Sequence, residues 1–327
     1  MLNSQNNSLQ NFQKPQLVAS EKNKKQRTKK TPKQRLKTWA KRLLITFVII
    51  LIIIRVAISF MSFRMSDRKV KEYFAVNNTE VKIQRYKVGA REVRYIETGA
   101  DTLPMVLFVH GAPGGLDAFK EFLIDNALVG KAHLVSVDRP GYGYSGYGNT
   151  EKSIAQQAAL IKPILEKNKS GYPAILVGHS YGGPVVSKIA MDYPKLVHSL
   201  VLAAPAIDPD NEKIFWVSYP ANWLAIRWLV PTAMRVANDE KLSHKAELAK
   251  IKPGWKDLTL PITYIHGKKD MIVPFANTAY AKKMMTGVKP DLVIDDTMNH
   301  FVPWSHPQYI RKAVLKYLDQ INAQTSK

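Results

Sequence analysis

The 327-residue sequence contains no cysteine. Disulfides, thiolate nucleophiles and cysteine-ligated zinc or iron–sulfur centres are therefore excluded, and no motif marks another metal or a cofactor. Negative charge is scarce: 26 Asp and Glu stand against 48 Lys and Arg, a formal net charge of +22. The excess is unevenly spread. Residues 1–42 hold twelve Lys or Arg and a single acid, Glu21, so half of the net charge sits in an eighth of the chain. That segment is also poor in large apolar residues. It cannot offset its chain entropy by burial, and we expect it to be disordered. It lacks the interleaved aromatics of a nucleic-acid-binding tail, so no nucleic-acid partner is expected.

The next segment is the opposite in character. "LLITFVIILIIIRVAISFMSF", Leu43 to Phe63, is 21 residues long, the length of a membrane-spanning helix. Arg55 interrupts it at a cost of about 2.5–3.5 kcal/mol, against at most about 4.5–9 kcal/mol returned by its fifteen Leu, Ile, Val and Phe residues. The segment is thus expected to be a transmembrane anchor in contact with the lipid bilayer. Eight Lys or Arg lie between Arg27 and Arg42, and four (Arg64, Arg68, Lys69, Lys71) just after the run. The positive-inside rule then places the N-terminus in the cytoplasm and the remainder outside, periplasmic or extracellular. A competing reading is a signal peptide cleaved near Ala57-Ile-Ser59, which would leave a secreted protein.

Beyond residue 75 the pattern is that of an α/β domain. "VKIQRYKVGAREVRYIETG" (81–99) alternates about Gly89-Ala90 as a hairpin. Continuous apolar strands come next, at 105–111, 133–141, 174–180, 199–206, 262–267 and 291–296. Helical stretches separate them at 115–128, 151–167, 182–193, 275–287 and 307–322. Such alternation predicts a mostly parallel, doubly wound sheet covered on both faces. Residues 207–260 hold no strand but contain "IFWVSYPANWLAIRWLVPTAM" (214–234), and are expected to form a small helical cap over the strand ends, where ligands bind. Its Trp216, Trp223 and Trp228 are candidates for lining an apolar substrate pocket, or for plain packing of cap on core.

Chemistry centres on "GHSYG" (178–182), a serine between two glycines where a buried strand becomes a helix. In that context G-x-S-x-G is a nucleophile elbow. The glycines are required where a Cβ would clash, and Ser180 projects its hydroxyl above the sheet. A serine needs a base oriented by an acid. Of eight histidines, His300 lies in the loop between the last strand and the final helix, the place from which a base reaches a central strand; His306 is its rival. Asp270, after the strand at 262–267, completes the order Ser, Asp, His that this elbow requires, with Asp208 as the alternative acid. Attack on a carbonyl also needs preorganised N–H donors for the oxyanion. The backbone N–H groups of Tyr181 and of Ala112, in "HGAPGG" (110–115), are the candidates.

Together "HGAPGG", "DRPGYGYSG" (138–146), "GHSYGG", "GKKDMIVP" and "NHF" resemble the α/β-hydrolase fold family from about residue 80 to 325. The resemblance implies Ser180 as nucleophile, His300 as base, Asp270 as acid and a cap inserted after the sixth strand. It assigns no chemistry to the "DRPGYGYSG" loop. Haloalkane dehalogenases and epoxide hydrolases of this fold use an aspartate nucleophile, which Ser180 does not match. The activity expected is a carboxylesterase-like serine hydrolase acting on a small-molecule acyl substrate. Proline iminopeptidases, which hold the substrate amine with cap acids (here Asp239, Glu240 and Glu247 are available), cofactor-free haloperoxidases and carbon–carbon bond hydrolases share the triad and remain alternatives. So does an inert hydrolase-fold binding protein.

Overall fold

The computed structural model describes residues 31–59 and 63–325, and the chain divides at Ile52 into two units. Helix α1 (Pro32–Ser59) opens with a reciprocal cap: the Thr31 N–H donates to Gln34 Oε1 (3.0 Å) and the Gln34 N–H to Thr31 Oγ1 (3.3 Å). Pro32 occupies the first helical position, where its missing N–H costs nothing. Residues 32–42, expected to be disordered, are therefore helical; the rest of the expected tail, 1–30, lies outside the described residues. Leu43, Phe47 and Ile53 on this helix are exposed. Among the described residues no helix is long and apolar enough to cross a membrane. Between Arg42 and Arg55 the run from Leu43 to Ile54 is about 18 Å long at 1.5 Å per residue. That falls short of a hydrocarbon core of about 30 Å. The expected span over 43–63 runs on through residues 60–62, outside the described ones.

In the second unit, eight strands among the described residues form one sheet. They are β1 (Lys82–Val88), β2 (Arg91–Thr98), β3 (Met105–Val109), β4 (His133–Val137), β5 (Ala174–His179), β6 (Val197–Ala203), β7 (Ile262–Gly267) and β8 (Asp291–Asp295). Their order is β1-β2-β4-β3-β5-β6-β7-β8. β1 and β2 form the antiparallel hairpin, β2 joins β4 antiparallel, and every later pairing is parallel. The helices are α2 (Asp67–Val76), α3 (Asn126–Val129), α4 (Ile154–Glu166), α5 (Gly182–Asp192), α6 (Leu224–Arg227), α7 (Thr232–Ile251), α8 (Ala276–Met284), α9 (Val302–Ser305) and α10 (Pro307–Thr325).

The central strands read as unbroken apolar runs because both faces are buried. Leu107 and Val109 of β3 join the core layer under α4, α5 and α8, while Val106 and Phe108 join the layer under α2 and α10. Helix α10 contributes Ile310, Val314, Tyr317, Leu318 and Ile321 to that second layer, one stripe at helical spacing. Val70 and Phe74 of α2 are buried there too, so the domain begins before the boundary expected at residue 75. Residues 115–128, expected as one helix, form two 3-10 turns (Leu116–Phe119 and Phe122–Ile124) before α3. Between β6 and β7 the chain leaves the sheet and forms the cap: 3-10 turns at Trp216–Ser218 and Pro220–Asn222, then α6 and α7.

Candidate active site

The elbow follows directly from close packing at the end of β5. A Cβ on Gly178 would lie 2.6 Å from the Gly182 carbonyl oxygen, and one on Gly182 only 2.2 Å from that of Val109. Backbone cannot yield at such distances, so neither position accepts a side chain. Between them Ser180 adopts φ +53°, the left-handed region that non-glycine residues avoid. The Ala206 N–H donates to the Ser180 carbonyl (3.2 Å) and the Ser180 N–H to that of Ala203 (3.0 Å), which ties the strained residue to the end of β6.

The loops after β7 and β8 bring the other two predicted residues to this hydroxyl. His300 Nε2 is 3.0 Å from Ser180 Oγ, and His300 Nδ1 is 2.7 Å from Asp270 Oδ2. A carboxylate only accepts, so Nδ1 carries the hydrogen and Nε2 is left to accept from the serine. All three residues are buried. Asp270 Oδ1 accepts from the N–H groups of Ile272 (2.9 Å) and Val273 (2.8 Å). Burial alone would raise the Asp270 carboxyl, but hydrogen bonds from His266, His300 and the Val273 N–H hold it well below the usual carboxylate range.

Two further histidines support this chain, and sequence reasoning does not assign them. His266 Nε2 lies 3.4 Å from Asp270 Oδ2 and 3.2 Å from the Val273 carbonyl, while Tyr264 OH is 3.0 Å from its Nδ1. The elbow residue His179 donates from Nε2 to the His300 carbonyl (2.9 Å), which fixes the backbone of the base. Burial, with His300 alongside, pushes His179 down to about 3, so it stays neutral. The rivals lie elsewhere. Asp208 accepts from the Asp210 N–H (2.9 Å) and Asn211 Nδ2 (2.7 Å), and His306 is 2.9 Å from Ser305 Oγ.

Above Ser180 opens a cavity of about 420 Å³, walled by Ala112, Pro113, Tyr181, Phe215, Val217 and Met234 among others. Ala112 and Tyr181, whose N–H groups are the predicted oxyanion donors, line the same cavity as Ser180. Gly111 abuts the serine so closely that an added Cβ would sit 2.9 Å from Ser180 Cβ. The three tryptophans proposed for the pocket are absent from its lining. Trp216, Trp223 and Trp228 are 78%, 61% and 43% exposed. The segment is not one helix: Pro220 and Pro231 break it into short turns, so helical spacing does not decide which way its side chains face. Phe215 and Val217, on either side of Trp216, line the cavity instead. Among the described residues no cluster of three or more His, Asp or Glu is arranged to hold a metal ion.

The three cap acids considered for a substrate amine are each engaged. Asp239 pairs with Arg227 (2.6 Å), Glu240 with Arg139 (2.7 Å), and Glu247 accepts from the Ile154 N–H (3.1 Å) besides pairing with Lys250. Arg139 and Gln157, also missed from sequence, complete a buried network around Glu240.

Comparison with known proteins agrees with this geometry. Residues 104–227 match the model of the alpha/beta hydrolase fold, and residues 166–324 that of the prolyl oligopeptidase family. The acetyltransferase component (dihydrolipoyllysine-residue) of the acetoin cleaving system of Cupriavidus necator is 31% identical over 152 residues, 43% of this chain but only 39% of that protein. A 2-(acetamidomethylene)succinate hydrolase of Mesorhizobium japonicum is 24% identical over 274 residues, 72% of this chain and 95% of that one. The crystal structure of a membrane phospholipase A, described as a bacterial virulence factor, superposes with a TM-score of 0.58 at 18% identity, covering 86% of this chain and 99% of that chain. At that identity the likeness is one of fold. Strand order, elbow and both family models converge, and this chain belongs to the α/β-hydrolase fold family.

Proposed function

We propose that this protein is a serine hydrolase that cleaves an ester or related acyl bond through a covalent acyl-enzyme. Ser180 Oγ attacks the carbonyl carbon while His300 Nε2 takes its proton. The imidazolium so formed is stabilised by Asp270, and the N–H groups of Ala112 and Tyr181 receive the oxyanion. His300 then returns the proton to the leaving oxygen, and a water activated by the same nitrogen releases the acid. The observation that carries this reading is the continuous Ser180–His300–Asp270 chain, 3.0 and 2.7 Å, opening into the 420 Å³ cavity. An acyl group is favoured over a peptide amine because Asp239, Glu240 and Glu247 are each held by protein partners. No cap carboxylate among these three is left for an ammonium. A binding protein without catalysis would have no use for an acid–base–nucleophile alignment of this kind.

The expected location is the outer face of a membrane, with the N-terminus cytoplasmic and the segment 43–63 as the tether. The 21-residue apolar run, its stronger basic flank on the N-terminal side and the exposed apolar side chains of α1 support this reading. A reporter fused after Lys327 should be active only in its exported form.

Reaction with a fluorophosphonate probe tests the chemistry. The wild-type protein should be labelled and Ser180→Ala should not, and a series of p-nitrophenyl esters of graded chain length should be hydrolysed. Equal labelling of Ser180→Ala, or none of the wild type, would falsify the proposal.

A further inference from the structure

Arg139 stands two residues after the end of β4 and is fully buried, yet each of its five guanidinium hydrogens has an acceptor. Nε donates to the His110 carbonyl (2.8 Å). One terminal nitrogen donates to Gln157 Oε1 (2.7 Å) and Glu240 Oε1 (2.7 Å), the other to the Gly111 carbonyl (3.1 Å) and Glu240 Oε2 (3.1 Å). The guanidinium carbon also lies 4.7 and 4.6 Å from the ring centroids of Tyr142 and Tyr181. Glu240, on cap helix α7, accepts in addition from Tyr142 OH (2.6 Å) and Gln157 Nε2 (2.9 Å). A buried ion pair is tolerated only when its remaining hydrogen-bonding capacity is met in this way.

The Gly111 carbonyl is gripped a second time. The Arg139 N–H donates to His110 Nε2 (3.0 Å), so His110 carries its hydrogen on Nδ1, which donates to the Gly111 carbonyl (2.7 Å). In a planar trans peptide the C=O and N–H point in opposite directions. Holding the Gly111 oxygen toward Arg139 and His110 therefore turns the Ala112 N–H away from them. The Ser180 side is where the Gly111 backbone abuts the nucleophile.

We infer that the Arg139–Glu240 pair is a positioning clamp that fixes the Gly111–Ala112 peptide with its N–H toward the oxyanion and makes that orientation depend on the seating of cap helix α7. The inference rests on the serine hydrolase reading above. It gives the "DRPG" segment a role in the reaction without contact to substrate. It also gives the cap a role besides walling the cavity, since moving α7 releases the oxyanion donor.

Two variants test it. Arg139→Lys keeps the charge beside Glu240 but cannot hold the His110 and Gly111 carbonyls together with a bidentate carboxylate. The double variant Arg139→Met/Glu240→Met removes both charges and leaves neither buried alone. In each, kcat for a p-nitrophenyl ester should fall about 10²–10³-fold, the loss typical of one oxyanion donor, with KM within threefold of wild type. Inhibition by a trifluoromethyl ketone, whose serine adduct carries an oxyanion, should weaken in step with kcat. An ion pair that served only stability would lower the unfolding midpoint and leave the ketone affinity of the folded fraction unchanged. A kcat within threefold of wild type in either folded variant overturns the clamp, as does unchanged ketone affinity or the unfolding of both. Fluorophosphonate labelling of the wild type separates the two ideas: without it the hydrolase reading itself fails, and with it only the clamp is at stake.

Discussion

Replacing Asp270 by Asn changes one atom in the proposed relay, and the surroundings decide where the change is felt. Oδ1 accepts from two backbone N–H groups, at 2.9 and 2.8 Å. Turning the amide nitrogen toward them would leave two buried donors facing a third, at about 1–3 kcal/mol each. The amide oxygen therefore stays at the Oδ1 position and the NH₂ takes the place of Oδ2, 2.7 Å from His300 Nδ1. Two donors cannot share that contact. His300 must give up its Nδ1 hydrogen and carry it on Nε2, the atom 3.0 Å from Ser180 Oγ that has to accept a proton. The base is then present, correctly placed and in the wrong tautomer. A loss of about 10⁴ in kcat is expected, equivalent to about 5.4 kcal/mol of barrier, with KM little changed because no cavity-lining residue has moved. Steady-state hydrolysis of a p-nitrophenyl ester at pH 7 measures both. A kcat within tenfold of wild type, or a defect confined to KM, would refute the assignment of Asp270 as the orienting acid.

The same carboxylate should shape acid stability. Its folded pKa is depressed, so its charged form stabilises the fold above the unfolded value of about 3.9, and that stabilisation is lost as pH falls toward the folded value. Unfolding midpoints taken from pH 7 down to 2.5 should decline more steeply for wild type than for Asp270→Asn below about pH 4; parallel slopes contradict the linkage. In the cap, Val217 faces the cavity and its neighbour Trp216 faces solvent. Val217→Trp should cut kcat/KM for long-chain esters about tenfold or more relative to acetate esters, whereas Trp216→Ala should leave the chain-length profile within twofold. The reverse pattern would restore the tryptophan pocket.

The features legible in the sequence are local or ordered along the chain. The elbow announces itself in five residues because its glycines are demanded by backbone contacts nearby. His300 and Asp270 stand out because each follows a strand, and parallel strands deliver all their connecting loops to one edge. The cap defeats the same reasoning. Aromatic spacing is informative only on a continuous helix, and Pro220 and Pro231 leave none there. Arg139 and Glu240 are out of reach for another reason: they stand 101 residues apart, and neither carries a motif that names its partner. From sequence Glu240 reads as an acid available to a substrate amine, the one role its burial against Arg139 denies it. The early start of α1 is readable in principle from Thr31, Pro32 and Gln34, but the charge density around them argues for disorder and masks the cap.

The outward-facing cap also bears on how the protein behaves at the bench. Removing residues 1–63 takes away the apolar run but leaves Trp216, Trp223 and Leu224 at 78%, 61% and 91% exposure. Large apolar side chains displayed to water promote self-association. A truncated domain should therefore still bind hydrophobic chromatography resin and still call for detergent or glycerol during concentration. The exposed side chains of the cap, and not the N-terminal run alone, should then set its solubility.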